Sequence, residues 1–192
     1  PEKCHFHLDT CRDPQWGEQQ CMQDHIVYLA NSSGLKVGIT RHSQVPTRWL
    51  DQGAVQAMPI LRVASRYQSG LLEMVFKEHA SDRTNWQAML KNQVDTLDLA
   101  AERDRLFELT EGPLTALEKR FGPLAIQRLH DAEAVELEYP VLNYPVKVKS
   151  LSFDKTPLIE GTLQGIKGQY LILDTGVLNI RKFGAYNVEF SA

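Results

Sequence analysis

The stretch VYLANSSGLKVGIT, residues 27–40, limits the fold more than any other part of the chain. Two apolar runs rich in Val, Leu, Ile and Tyr flank NSSG, whose residues are those of a tight turn. The pattern predicts a β-hairpin with strands over 26–30 and 35–40. Lys36 and Gly38 interrupt the second run, where a plain strand prefers apolar or β-branched residues. A glycine inside a strand marks a place where the backbone approaches another group closely.

Further elements follow the hairpin. PTRWLDQG (46–53) predicts a short helix, with Pro46 in its first turn and Gly53 just past its end. AMPILRVASRY (57–67) contains a third strand. SGLLEMVFKEHA (69–80) predicts a helix with Ser69 as N-cap and Leu72, Val75, Phe76 and His79 on one face. Residues 86–110 are helical in type, with Leu97, Leu99, Leu106 and Leu109 as core positions, and a further helix covers 113–130. From Tyr139 the pattern changes to valines, tyrosines and turn residues. VKVKSLSF (146–153), IEGTLQGIKGQYLILD (159–174) and GVLNIRKF (176–183) predict strands separated by turns at GIKG and DTG. Their hairpins resemble those of SH3-like or OB-like small barrels. The chain thus divides into a cysteine-bearing segment (1–25), an α+β core (26–95), a helical extension (96–138) and a small β-barrel domain (139–192).

All three cysteines, Cys4, Cys11 and Cys21, lie in the first segment with His5, His7 and His25. An odd count makes no closed disulfide framework. In an intracellular protein such clustering reads as metal binding, and zinc takes four such ligands. The best set is Cys4-x6-Cys11-x9-Cys21-x3-His25. His7 is an alternative fourth ligand, residues upstream are another source, and three reduced thiols are the bland competitor. Between the cysteines, CRDPQWGEQQC has the Pro14, Trp16 and Gly17 of a loop ordered by metal.

A length of 192 residues allows one large domain or two small ones. A net charge of −3 and 43% hydrophobic residues are those of a soluble globular protein. No apolar run approaches the roughly 18 residues of a membrane span, and no signal peptide is present, so the expectation is a cytoplasmic protein without a membrane partner. The chain opens PEKC, without an initiator Met, which reads as a fragment or processed form. Charge is unevenly spread. Residues 36–67 carry Lys36, Arg41, Arg48, Arg62 and Arg66 against Asp51, a net of +4. Residues 95–138 carry eleven acids and five bases, a net of −6. A basic stretch suits nucleic acid and an acidic helical one a protein partner, although either is equally read as a solvated face.

The order hairpin, helix, strand, helix over 26–80 carries Tyr28, Lys36-Val37-Gly38, Arg48 and Glu73 on successive elements. On these residues the chain resembles the GIY-YIG nuclease superfamily over residues 25–90. It is more similar to divergent branches whose second half-motif reads Lys-Val/Ile-Gly, and as a whole to a bacterial and archaeal family of unknown function with a cysteine-rich leader segment. The resemblance implies a small antiparallel or mixed sheet with flanking helices. It places Tyr28 at the first motif tyrosine, Lys36-Val37-Gly38 at the second half, Arg48 at the catalytic arginine with Arg41 as competitor, and Glu73 at the metal-binding glutamate. Asn85 is its loosest match.

The implied chemistry is phosphodiester hydrolysis. A metal such as Mg²⁺ polarises the phosphate and needs few protein carboxylates. An arginine fork matches the phosphate and balances developing charge. A strand glycine lets the backbone approach the substrate. Lys36 stands where the family keeps a water-activating tyrosine, and it acts as a base only if its pKa is lowered to near neutrality. Gly38, Arg41, Arg62 and Arg66 are the expected nucleic-acid contacts. Each residue also has a bland role: Tyr28 as core, Glu73 as solvated surface, Arg48 as an ion-pair partner, and Trp49 and Trp86 as packing rather than base-stacking residues. The expected function is therefore a zinc-containing nucleic-acid-interacting protein, a GIY-YIG-type hydrolase. The alternative is an inactive nucleic-acid-binding or protein-interaction module that uses the acidic helical region.

Overall fold

The hairpin forms where its turn residues place it. In the computed structural model, which describes residues 1–80, 83–122 and 124–191, β1 (His25–Asn31) and β2 (Leu35–Arg41) pair antiparallel. Tyr28 lies opposite Gly38, and Ala30 opposite Lys36. The Asn31 side chain closes the turn by accepting the Gly34 N–H at 3.1 Å. β3 (Gln56–Val63) pairs with the other side of β1, and two short strands, β4 (Ile126–Arg128) and β5 (Val135–Glu136), both pair with β3. The sheet is antiparallel in order β2-β1-β3-β4, with β2 as an edge. The β1–β3 register shifts between Val27 and Tyr28. Pro59 sits at that irregularity, between the stretches of β3 that meet β4 and β5, where its missing N–H costs no ladder bond.

The two faces of the sheet are filled differently. Val27, Leu29, Val37, Leu61 and Val63 pack against Leu72 and Phe76 of α3 (Arg66–Lys77) and Leu99, Leu106, Phe107 and Leu114 of α5 (Leu99–Phe121). Burying each such side chain contributes about 1.5–3 kcal/mol. On the opposite face, Ile26, Tyr28 and Ala30 pack against Trp49 of α2 (Thr47–Asp51), with Ala54 and Ala57.

Several boundaries differ from the sequence reading. CRDPQWGEQQC is not a loop: it contains α1 (Pro14–Cys21), capped by the Asp13 side chain accepting the Trp16 N–H at 3.0 Å. Asp-Pro is itself an N-cap followed by a favoured first residue. α3 starts three residues before the expected Ser69. Ser65 is its cap, accepting the Gln68 N–H at 3.3 Å, and Ser69 is a buried interior residue. The 86–110 region is broken into α4 (Trp86–Leu90) and the start of α5, because Asn92 is left-handed at φ 54° and Asp98 caps α5. Leu109 is exposed rather than core. The expected 113–130 helix is not a separate element: its first half continues α5 and its second half leaves the helix. Pro113 lies inside α5, Gly122 at φ 90° ends it, and Ile126–Arg128 is strand.

The C-terminal region forms a three-stranded antiparallel sheet, β6 (Leu163–Lys167), β7 (Tyr170–Leu173) and β8 (Gly176–Asn179). Of 146–153, only a bridge from Ser150 to Val177 is strand-like, and Val141 bridges Gly165 at the other edge. Both edges are thus partly covered, without a closed barrel among the described residues. This sheet packs on the core: Ile172 and Val177 share a cluster with Met89 and Leu90 of α4, and Trp86 stacks on Tyr170 at 6.0 Å and 2°.

Two polar ties hold this assembly. Buried Gln56 accepts from Asn31 Nδ2 at 3.0 Å and from the Leu97 N–H at 3.0 Å, and it donates to the Leu97 carbonyl at 3.2 Å. Lys167 is fully buried, donates to Asn92 Oδ1 at 2.7 Å, and is pulled down to about 8 by burial. Replacing Gln56 by Leu strands these partners and should cost about 1–3 kcal/mol in urea unfolding. Because the folded Lys167 gives up its proton earlier than the unfolded one, its charge opposes folding below about pH 8. That opposition fades as pH rises toward the ordinary lysine range. Stability should therefore climb between pH 8 and 10 in the native chain, and this climb should be lost in Lys167→Met when melting temperatures are compared across that window.

Candidate functional site

The site is built around a tyrosine that crosses the edge strand. Tyr28 on β1 has no exposed surface. Its ring lies over Gly38 of β2, so closely that a Cβ at position 38 would sit 2.6 Å from both Cζ and Oη. The close approach that Gly38 permits is therefore to the Tyr28 ring. The ring is tilted 60° against Trp49, centroids 5.9 Å apart. The hydroxyl, carried toward the sheet edge, donates to Gln52 Oε1 at 3.0 Å.

Arg48 and Glu73 meet this hydroxyl electrostatically. Burial raises the Tyr28 pKa most. Arg48 opposes this through its charge and hydrogen bonding, Gln52 through its hydrogen bond, and Glu73 adds to the rise through its negative charge. Arg48 comes from α2 and Glu73 from α3, on opposite faces of the sheet. Both side chains are half-buried, and Glu73 is ion-paired with Lys77 one turn on at 3.6 Å. Beside Tyr28, the buried Trp49 Nε1 has no hydrogen-bond partner among the described residues.

The other predicted residues are placed as follows. Lys36 lies on the same sheet face as Tyr28 but is buried and donates to Thr84 Oγ1 at 2.9 Å. It reaches the segment before α4. Asn85 caps α4, accepting the Ala88 N–H at 3.2 Å. Arg41, Arg62 and Arg66 lie toward the opposite end of β1. Arg41 faces His25 across the hairpin and donates to Gln20. Arg62 pairs with Asp24, with Nε at 2.8 Å. Arg66 opens α3 and is exposed. His25 is pushed below the usual histidine value, first by burial and then by the charges of Arg66 and Arg41. Gln52 was not foreseen. Its signal is the i, i+4 spacing from Arg48, which brings both to one side of a helical turn.

Cys21 is buried, Cys4 and Cys11 are half-buried, and all three are free thiols. His25 engages the Gln23 carbonyl through Nδ1 at 2.7 Å, while His7 stacks on Tyr67 at 4.5 Å. The donor types suit zinc. Among the described residues, however, no three His, Cys, Asp or Glu side chains come together as a metal site. The acidic helix α5 neutralises part of its own charge. Glu111 and Glu118 both bind Arg128, at 2.6 and 2.7 Å, and Glu102 binds Arg105. Among the described residues no helix is long and apolar enough to cross a membrane.

An antiparallel sheet with helices on both faces, followed by a small antiparallel sheet docked on it, defines an α+β protein. The chain belongs to the family described as "Protein of unknown function (DUF2797)", whose model matches residues 1–188. No curated protein and no solved structure matches it.

Gly38→Ala forces a methyl group into the Tyr28 ring and should destabilise the fold by about 1–3 kcal/mol. In a Tyr28→Leu background the same change should cost less, and a double-mutant cycle by urea unfolding reads the difference.

Proposed function

We propose that this chain is a nucleic-acid-interacting protein with a GIY-YIG-like core that acts as a divalent-metal-dependent phosphodiesterase. One observation carries the reading: the Tyr28 ring lies on Gly38 and its hydroxyl donates to Gln52 at 3.0 Å, at the end of the helix that carries Arg48, whose charge, like that of Glu73, acts on that hydroxyl. In this reading the Arg48 fork binds a phosphodiester oxygen and balances the charge that builds there. Glu73 fits a Mg²⁺ by its donor chemistry, being a half-buried carboxylate whose charge reaches the Tyr28 hydroxyl. When bound, such an ion polarises the phosphate and makes its water a better nucleophile. Tyr28 is enclosed, so it orients Arg48 and Gln52 rather than touching the polymer. Arg41, Arg62 and Arg66, at the other end of β1, are the proposed nucleic-acid contacts.

A second reading, binding without cleavage, is favoured by the position of Lys36. It stands where the resembled family has a tyrosine, and its ammonium is engaged by Thr84. Zinc in the N-terminal segment is proposed from Cys4, Cys11, Cys21 and His25 alone, as a structural ion. Elemental analysis of the purified chain tests it, and less than about half an equivalent removes it from a four-ligand site.

With Mg²⁺ or Mn²⁺ the purified chain should cleave single- or double-stranded DNA or RNA. Arg48→Ala and Glu73→Ala should each lower the rate by about 10²–10³-fold. Cleavage that survives both substitutions unchanged defeats the hydrolytic reading. Absent cleavage with binding that falls steeply as salt rises selects the second one.

A further inference from the structure

The helix that carries Arg48 cannot hold itself. α2 is a five-residue turn with no side-chain cap at its start, and a helix of this length is not stable in isolation. Its placement comes from its neighbours. On the sheet side Trp49 packs against Tyr28. The end of α2 is held by residues from the C-terminal region. Tyr139 Oη donates to the Ala54 carbonyl at 2.8 Å and lies 3.3 Å from the Leu50 carbonyl. The β6–β7 turn seats Gly168, at φ 59°, against the end of α2. A Cβ there would be 3.0 Å from the Asp51 carbonyl oxygen and 3.1 Å from the Gly53 nitrogen. Beside it the buried Lys167 ammonium is bonded to Asn92 and lies 5.2 and 5.3 Å from the ring centroids of Tyr139 and Tyr144. Contacts of this kind attract the cation to the ring faces and keep the rings in place. Tyr139 thus has its ring fixed by Lys167 and its hydroxyl fixing α2.

We propose that the C-terminal sheet is the positioning device for Arg48: Tyr139, Lys167 and Gly168 clamp the end of α2 and so set where the guanidinium stands relative to Tyr28. The role of that guanidinium toward a phosphate rests on the phosphodiesterase reading, whereas the clamp rests on the contacts above. Tyr139 and Lys167 are positioning residues, reaching the site only through α2.

The test uses the full chain and Tyr139→Phe, which keeps the ring over Lys167 and removes the two carbonyl contacts. Hydrogen exchange is followed at 50–54, with 57–63 and 72–76 as internal references. The Arg48 Nε–Hε resonance, assigned by its loss in Arg48→Lys, is recorded in the same proteins. Exchange at 50–54 should accelerate at least about tenfold, with the references unchanged, and the Arg48 resonance should shift. Gly168→Asn, in which Asn tolerates the left-handed backbone while its Cβ presses on Asp51, should move the same two signals. It also keeps the test decisive if Tyr139→Phe does not fold. Unchanged exchange and an unmoved Arg48 resonance overturn the clamp, as does acceleration spread equally over the reference segments. Where the native chain cleaves, kcat should fall with KM unaltered. A native chain that does not cleave, with exchange loosened only at 50–54, upholds the clamp and defeats the hydrolytic reading. A cleaving chain with both signals unmoved does the reverse.

Discussion

The Tyr28 ring lying on Gly38 is the contact around which the candidate site is arranged. The edge strand of the sheet has to lack a side chain at one position for the ring to cross it. Once across, the hydroxyl is met by Gln52 and approached by Arg48 from one face and Glu73 from the other. The same ring contributes apolar surface under Trp49. A single side chain therefore joins the core of one sheet face to a polar cluster at the sheet edge. The cluster inherits its rigidity from that core rather than from loops.

The charged groups are managed in two ways. The basic residues of 36–67 do not form one patch. Lys36 is buried beside Thr84, Arg48 acts on Tyr28, and Arg41, Arg62 and Arg66 lie toward the other end of β1. On the acidic side, Arg128 is gripped by two glutamates of α5, and its guanidinium also lies 5.7 Å from the centroid of the Phe107 ring. Arg103 is buried against Asp104 and the backbone of His130. Part of the negative charge in the helical region is thus spent on packing that region's own bases against the core. Net segment charge, read along the chain, describes neither arrangement.

The hairpin, α2, β3 and the Leu72 and Phe76 contacts of α3 were legible because each rests on short-range signals: turn residues, proline and glycine at helix ends, and helical spacing; His79, read onto the same face, lies past the end of α3 and is exposed. The elements that were misplaced depend on distant partners or on weaker caps. β4 exists because β3 offers it an edge, and three residues of Ile-Gln-Arg carry no periodicity of their own. Residues 91–98 leave the helix because Gln56 captures the backbone of Leu97 from the far side of the core. Asp13 and Ser65 were readable as caps, since Asp-Pro and Ser-x-x-Gln are local patterns. At the site, residue types point to Tyr28, Gly38, Arg48 and Glu73; the fold lays the Tyr28 ring on Gly38, and the charges of Arg48 and Glu73 act on its hydroxyl. The direction of Lys36 was not readable, because it is decided by a threonine 48 positions away.

The separation of Tyr139 from Leu50 by 89 positions has a bearing on the order in which the molecule is made. On the ribosome, Tyr28, Arg48, Gln52 and Glu73 all emerge long before the residues that close on the end of α2. A nascent chain halted before Tyr139 would already hold the complete polar cluster in sequence, yet its one-turn helix would still lack the contacts that fix it. In the clamp proposed above, assembly of the cluster waits for synthesis of Tyr139 and the β6–β7 turn.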